Sequence, residues 1–411
     1  WNIGAEVKVV LGRRKMIQNS SLISSISPES ADVPGSGILE AVTYGWGRPG
    51  LIPLWAGEGD MSTPSFISDA TTRSLAAGET FYTPNRGIPA FREAIARYMS
   101  ALYETPFSPD RFLCTIGGMH AMQIAMRLAL SKGDEVIVPS PAWPNFNGAA
   151  MAIGAIPVDV PMGLTGENQK GRWFLDLDRL AQAVTPRTKA IVINSPSNPT
   201  GWTATLQELK DVLSLARRHG LWIIADEIYA QFVFGGVKRA PSFHDVMDDD
   251  DQILFVQTFS KNWAMTGWRI GWLECHPSLA QAAENLIQYS SSGVPTFLQR
   301  GAIAAIDHGK NFIDHQIARA HEGREIVCNA LGQLSQLSFM IPEGAFYLYF
   351  RVEDTSDSMN LAKSLIDRAN VGLAPGAAFT KSQDPWLRLC FLRKADDLKT
   401  AVDRLTSAFS A

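Results

Sequence analysis

KAIVINSPSNPTGWTATLQELKDVLSLARRHGLWIIADEIY, residues Lys189 to Tyr229, holds two short apolar runs separated by a stretch of different periodicity. KAIVIN and LWIIAD are almost continuously apolar, which is the pattern of strands covered on both faces in a mainly parallel sheet. Between them Leu206, Leu209, Val212, Leu213 and Ala216 recur at helical spacing and make one apolar stripe. Thr205 and Glu208 form a capping-box pair at its start, and Arg217, Arg218 and His219 complement the dipole at its end. Gly220 supplies the stop. Strand, helix and strand in this order predict a right-handed crossover, and with it an α/β fold.

The same grammar repeats along the chain. RFLCTIG (111–117), DEVIVPS (134–140) and QILFVQTF (252–259) also read as buried strands. The C-terminal part differs: 311–336 is helical, while LSFMIPEGAFYLYFRV and WLRLCFL read as strands around a helix near 359–370. The expected division is a large α/β domain over 63–300 and a small α+β domain built from 16–62 plus 301–411. Residues 1–15 lack the apolar core of a secretory signal and are expected to be an extension outside the fold, with Met16 as the true beginning. The MDDDD run at 247–251 is expected to be a solvated loop.

Composition narrows the function classes. The chain has 411 residues, 46% hydrophobic and 19% charged, with a formal net charge of −4. That charge gives no electrostatic footprint for nucleic acid or an anionic membrane. No apolar run approaches the roughly 20 residues that span a bilayer. Cys114, Cys275, Cys328 and Cys390 are far apart in no metal-binding spacing, which fits reduced thiols and a cytoplasmic location.

Ligands of α/β sheets bind beyond the carboxyl ends of the strands, so the residues just after each apolar run matter most. After TIG, Gly117-Gly118-Met119 opens a helix and exposes amides suited to a phosphate, although glycine turns also precede helices that bind nothing. After VIVPS comes Trp143, for which ordinary packing is the simpler reading. After IVINSP comes Asn198 within SNPTG, a turn-forming run. Asp226 follows five apolar residues and is costly to bury unless it meets a cation. After ILFVQTF comes Ser260-Lys261, inside QTFSKNWAMTGWRIGW, where Lys261 and Arg269 stand among Phe, Trp, Ala, Met and Gly.

From about residue 35 onward the chain resembles the class I (fold-type I) pyridoxal 5′-phosphate-dependent aminotransferases, of the aspartate/aromatic aminotransferase kind. The resemblance rests on NPTG, DEIY, SK and GWRIG in that order. It implies a mainly parallel seven-stranded sheet sandwiched by helices, with the smaller α+β domain beside it. It implies that Lys261 bonds covalently to the cofactor aldehyde and then carries a proton, as general acid–base catalysis requires. Asp226 would pair with the cofactor's pyridine nitrogen, and Tyr229 and Asn198 would hydrogen-bond its 3′ oxygen. Trp143 would stack on the ring. Arg269, Thr258, Ser260 and the amides of Gly118 and Met119 would hold the phosphate, with Tyr82 reaching it from a neighbouring subunit. The substrate carboxylate would meet Arg388, assisted by Asn198 and the backbone of Gly57. The active unit would then be a homodimer acting on amino acids and 2-oxo acids.

One departure bears on the substrate. Prokaryotic aspartate aminotransferases of the most similar pattern carry a basic residue after the TxGG turn, where this chain has Met119. An aromatic or neutral amino-acid donor is therefore expected over aspartate, with Met119, Trp46, Phe346 and Tyr347 lining the pocket. A 2-oxo acid such as 2-oxoglutarate would be the acceptor in a ping-pong cycle through pyridoxamine phosphate, and Arg48 or Arg86 would serve its second carboxylate. Two alternatives stand beside this: a carbon–sulfur β-lyase on the same scaffold, and a non-catalytic regulatory protein. The latter needs an attached DNA-binding module, for which the segment before the core is expected to be too short.

Overall fold

A computed structural model describes residues 22–380 and 385–410. The expected extension at 1–15 and Met16 lie outside the described residues. The larger sheet has seven strands, β1 (Phe112–Thr115), β2 (Glu135–Ser140), β3 (Ile156–Pro161), β4 (Thr188–Asn194), β5 (Trp222–Asp226), β6 (Ile253–Thr258) and β7 (Gly271–Glu274). Their spatial order is β1-β7-β6-β5-β4-β2-β3. All neighbouring pairs are parallel except those of β7, which runs antiparallel to both β1 and β6.

Helices that bear on the site are α1 (Gly37–Gly45), α2 (Gly117–Ala129), α3 (Leu206–His219), α4 (Lys310–Leu331), α5 (Ser358–Ala369) and α6 (Ala395–Ser410). The strands alternate strictly between two covered faces. Ile191, Ile193, Ile223 and Ala225 pack with Leu209, Val212 and Leu213 of α3. Val192, Ile224, Leu254 and Val256 pack with Ala121, Met122 and Ile124 of α2 on the other face. This two-sided burial is why the strands read as unbroken apolar runs. Helix α3 begins at the Thr205–Glu208 capping box and ends at Gly220, whose φ of 63° an L side chain rarely adopts.

Two strands escaped the sequence reading. IPVDVP (β3) carries two prolines, which weigh against a strand in sequence, yet it lies at the sheet edge, where a missing amide donor is tolerated. GWLE (β7) is only four residues long, too short a run to stand out after the loop that precedes it. The second sheet contains β8 (Leu337–Phe339), β9 (Tyr347–Val352), β10 (Ala374–Pro375) and β11 (Trp386–Cys390), in the order β8-β9-β11-β10. Its core is shared with α4, α5 and α6 through Val327, Leu331, Leu365, Leu398 and Leu405. The helix expected over 311–336 stops at Leu331, with Gly332 at its end.

Candidate active site

The carboxyl ends of β4, β5 and β6, the start of α2 and the inner edge of the second sheet enclose a cavity of about 560 Å³. Helix α1 closes one side of it with Ile38, Leu39 and Val42. Of the residues singled out by sequence, Gly57, Gly118, Met119, Trp143, Asn198, Asp226, Tyr229, Thr258, Ser260, Lys261, Arg269 and Arg388 all border this space.

Lys261 follows the last residues of β6, and its Nζ donates to the backbone oxygen of Gly57 at 2.6 Å. Desolvation pulls its amine down to about 8, against the opposing influence of Glu58 and Asp226. Asp226 ends β5 and is 1% exposed. Its carboxylate forms no ion pair with any described residue; Oδ1 accepts a long 3.4 Å bond from the amide of Ile228, and the Asn194 side chain also favours its charged form. Burial raises its carboxyl to about 7. Tyr229 is buried with its hydroxyl 2.7 Å from that of Tyr347 on β9, and burial pushes its phenol well above the usual range.

Arg388 sits on β11, an interior strand, so the wet-edge explanation for an arginine there does not hold. It is 1% exposed and paired with no carboxylate among the described residues. Nη1 donates to Oδ1 of Asn198 at 2.8 Å, and Nη2 donates to the backbone oxygen of Trp55. The rings of Tyr347 and Phe379 flank its Cζ at 4.6 and 4.9 Å. Asn198 is in turn fixed by Asn194, whose Oδ1 accepts from the Asn198 amide at 2.8 Å.

At the opposite end, Thr258 donates to Ser260 Oγ at 2.9 Å. Arg269 donates to the backbone oxygen of Thr266 at 2.7 Å and adopts a φ of 54°, which turns its guanidinium to the glycine turn. Gly117 has a φ of 70°, and a Cβ there would stand 2.6 Å from Arg269 Nη2. The cradle thus depends on a missing side chain. Beside it, Met119 Sδ lies 3.5 Å from Nδ2 of Asn145, while Trp143 meets Phe146 edge-on at 5.5 Å.

Several expected residues stand elsewhere. Tyr82 is 97% exposed and does not border the cavity of its own chain. Arg48 pairs with Asp367 at 2.6 Å, and Arg86 donates to the backbone oxygen of Asp110, so neither points into the site. Phe346 packs on Tyr229 and Phe232 rather than lining the cavity, whereas Trp46 and Tyr347 do line it. Sequence reading missed Asn194, Asn145, Glu58 and the inward residues of α1. Glu58 alone had a visible signal, an acid between two glycines directly after the apolar IPLWA.

Among the described residues no helix is long and apolar enough to cross a membrane. Comparison with known proteins agrees with the geometry. The family model for aminotransferase class I and II matches residues 50–405. An aspartate aminotransferase of Geobacillus stearothermophilus is 33% identical over 362 residues, covering 86% of this chain and 90% of the relative. Aromatic-amino-acid aminotransferase 2 of Thermococcus litoralis is 31% identical over 363 residues, covering 87% and 92%. The crystal structure of an aspartate aminotransferase from Thermotoga maritima superposes with a TM-score of 0.85 at 30% identity, covering 94% of this chain and all of that one. The chain belongs to the aminotransferase class I and II family and is an aminotransferase of the pyridoxal-phosphate fold type I.

Proposed function

We propose that the enzyme moves the amino group of an aromatic or neutral L-amino acid to a 2-oxo acid such as 2-oxoglutarate, in a ping-pong cycle through pyridoxamine phosphate. One observation carries the reading: among the described residues, a buried carboxylate without a cation in ion-pair contact (Asp226) and a buried guanidinium without an anion (Arg388) open on one cavity, with Lys261 bordering it too. Each buried charge is costly alone and asks for a partner of opposite sign.

Pyridoxal 5′-phosphate fits these demands. Its phosphate would sit against the Gly117–Gly118 turn, Arg269, Thr258 and Ser260, its pyridine nitrogen against Asp226, and its ring against Trp143. When bound, the group supplies electron withdrawal from the substrate α-carbon, with Asp226 as the counter-charge that sustains it. Tyr229 and Asn198 would hydrogen-bond the group's 3′ oxygen. Arg388 orients the substrate α-carboxylate as a planar fork, and the α-carbon then faces Lys261. With its basicity lowered by burial, the Nζ of Lys261 is free at neutral to mildly alkaline pH to bond to the aldehyde and to take the α-proton. Helix α1 and the second sheet would exclude water once substrate is held.

Donor choice rests on the wall beside Met119. Ile38, Leu39, Val42 and Trp46 complete an apolar lining, and Asn145 is a neutral polar side chain beside them. That lining favours aromatic and neutral side chains over a second carboxylate. The proposed setting is the cytoplasm and the proposed unit a homodimer, with Tyr82 reaching the partner's phosphate.

The native enzyme should show a visible absorption band with added cofactor that borohydride fixes covalently, and Lys261→Ala should lose both. Single-turnover rates across phenylalanine, tyrosine, alanine, leucine, aspartate and glutamate then test the donor. Aspartate reacting fastest would overturn the donor preference, and Met119→Lys should shift the ratio toward aspartate by about tenfold.

A further inference from the structure

A second, smaller cavity of about 20 Å³ lies behind Lys261, between Glu58, Ser260, Thr266, Gln316 and Leu392. Glu58, Ser260, Lys261 and Thr266 border both this space and the large cavity, so they form the partition between them. The Oε2 of Glu58 accepts from the Thr266 hydroxyl at 2.6 Å. Its other oxygen has no hydrogen-bond partner among the described residues. Glu58 makes no ion pair among the described residues, and Lys261 is tethered instead to the neighbouring backbone oxygen of Gly57. Gln316 of α4 is 1% exposed and borders the small space, with its amide oxygen accepting from Arg319 at 3.4 Å. A space of about 20 Å³ with several polar walls is large enough for one water molecule, which needs roughly 10–15 Å³ and two to four partners.

We infer that Glu58, acting through a water molecule held in this rear cavity, is the positioning residue that stabilises the ammonium form of Lys261. The inference rests on the proton-carrying role proposed above for Lys261. Taking a proton from the substrate α-carbon turns the amine into a buried ammonium, whose desolvation works against the transfer. Arg388 adds to that resistance. Asp226 opposes it, but its charge is committed to the cofactor nitrogen in the loaded enzyme. Cys390, whose Sγ donates to the backbone oxygen of Glu58 at 3.5 Å, is held in its neutral thiol form by burial. Tyr229 and Tyr347 are likewise kept neutral by burial. Glu58 is therefore the acidic group left to compensate the proton on the rear side. Its carboxylate is fixed by Thr266, on the same loop as Lys261, so donor and counter-charge move together.

The test is the titration of Lys261 itself. In the full chain freed of cofactor, reductive ¹³C-methylation labels the lysines, and Lys261→Arg assigns the resonance. Glu58→Gln preserves shape and should lower the midpoint of Lys261 by about one pH unit, a tenfold loss in proton affinity. Gln316→Leu, which keeps the charge but removes a water partner, should give a smaller drop. In the loaded enzyme the alkaline-side rise of the half-reaction rate should move to lower pH in Glu58→Gln, with the maximal rate reduced. A Lys261 midpoint unchanged in Glu58→Gln overturns the inference. Equal midpoints in native and Gln316→Leu overturn the bridging water. Failure of borohydride fixation in the native enzyme would instead overturn the proposed function, and leaves this titration readable.

Discussion

Asp226 illustrates how a single buried charge is held at a cost to the fold. Its folded carboxyl titrates at about 7 because burial disfavours the charge. The folded state thus binds a proton that the unfolded state, titrating near 3.8, has already released. The cofactor-free protein should lose stability as pH rises from about 4 to 7, and above 7 the full penalty is present. Asp226→Asn should remove that pH-dependent loss and raise the stability of the cofactor-free protein at pH 8 by on the order of 2 kcal/mol. The same substitution should slow the amino-acid half-reaction by at least about a hundredfold, since a charge aimed at the reacting system is lost. Urea unfolding at pH 5 and pH 8, paired with single-turnover rates, reads both effects. A stability difference independent of pH would contradict the assigned cause.

At the level of the element, the glycine turn opening α2 shows a site made by omission. Gly117 carries a positive φ and yields the space that Arg269 occupies. Gly117→Ala should destabilise the protein by about 1–2 kcal/mol through the left-handed backbone alone. It should also displace Arg269 and weaken phosphate-dependent cofactor binding, while the pyridine end remains served. Titration with pyridoxal and with pyridoxal 5′-phosphate separates the two, because only the phosphate-bearing form should lose affinity. Much of this was legible in sequence: five of the seven strands announced themselves as apolar runs, and the residues following them border the cavity. What was hidden depends on contacts between distant segments. Trp55 offers Arg388 a backbone oxygen that no side-chain pattern marks, and Asn194 reads as the end of a strand until Asn198 is seen resting on it. Helix α1 contributes its apolar face to the cavity from far upstream, and nothing in GILEAVTYG specifies where that face docks.

At the scale of the whole molecule, Phe81, Tyr82 and Tyr289 are 85%, 97% and 91% exposed. Asn85 hydrogen-bonds Gln288, so the loops that carry these aromatics adjoin. Exposed aromatic side chains grouped in this way suit burial against another copy. If Tyr82 reaches the partner's phosphate, Tyr82→Phe should weaken cofactor binding about tenfold without altering the fold. Dilution through the dimer dissociation range, followed by sedimentation and cofactor fluorescence together, should show affinity falling as monomers form. Full affinity in a monomer would exclude the cross-subunit role. The sheet itself adds a constraint of another kind. Because β7 returns antiparallel between β1 and β6, one loop from Phe259 to Ile270 carries both Lys261 and Arg269. If Lys261 and Arg269 hold the two ends of the bound group as proposed, a single stretch of chain gauges its length, as a ruler would. An insertion of one residue anywhere in that stretch would change the gauge. Mutational drift is tolerable throughout the surrounding sheet, but there a change of length is a change of chemistry.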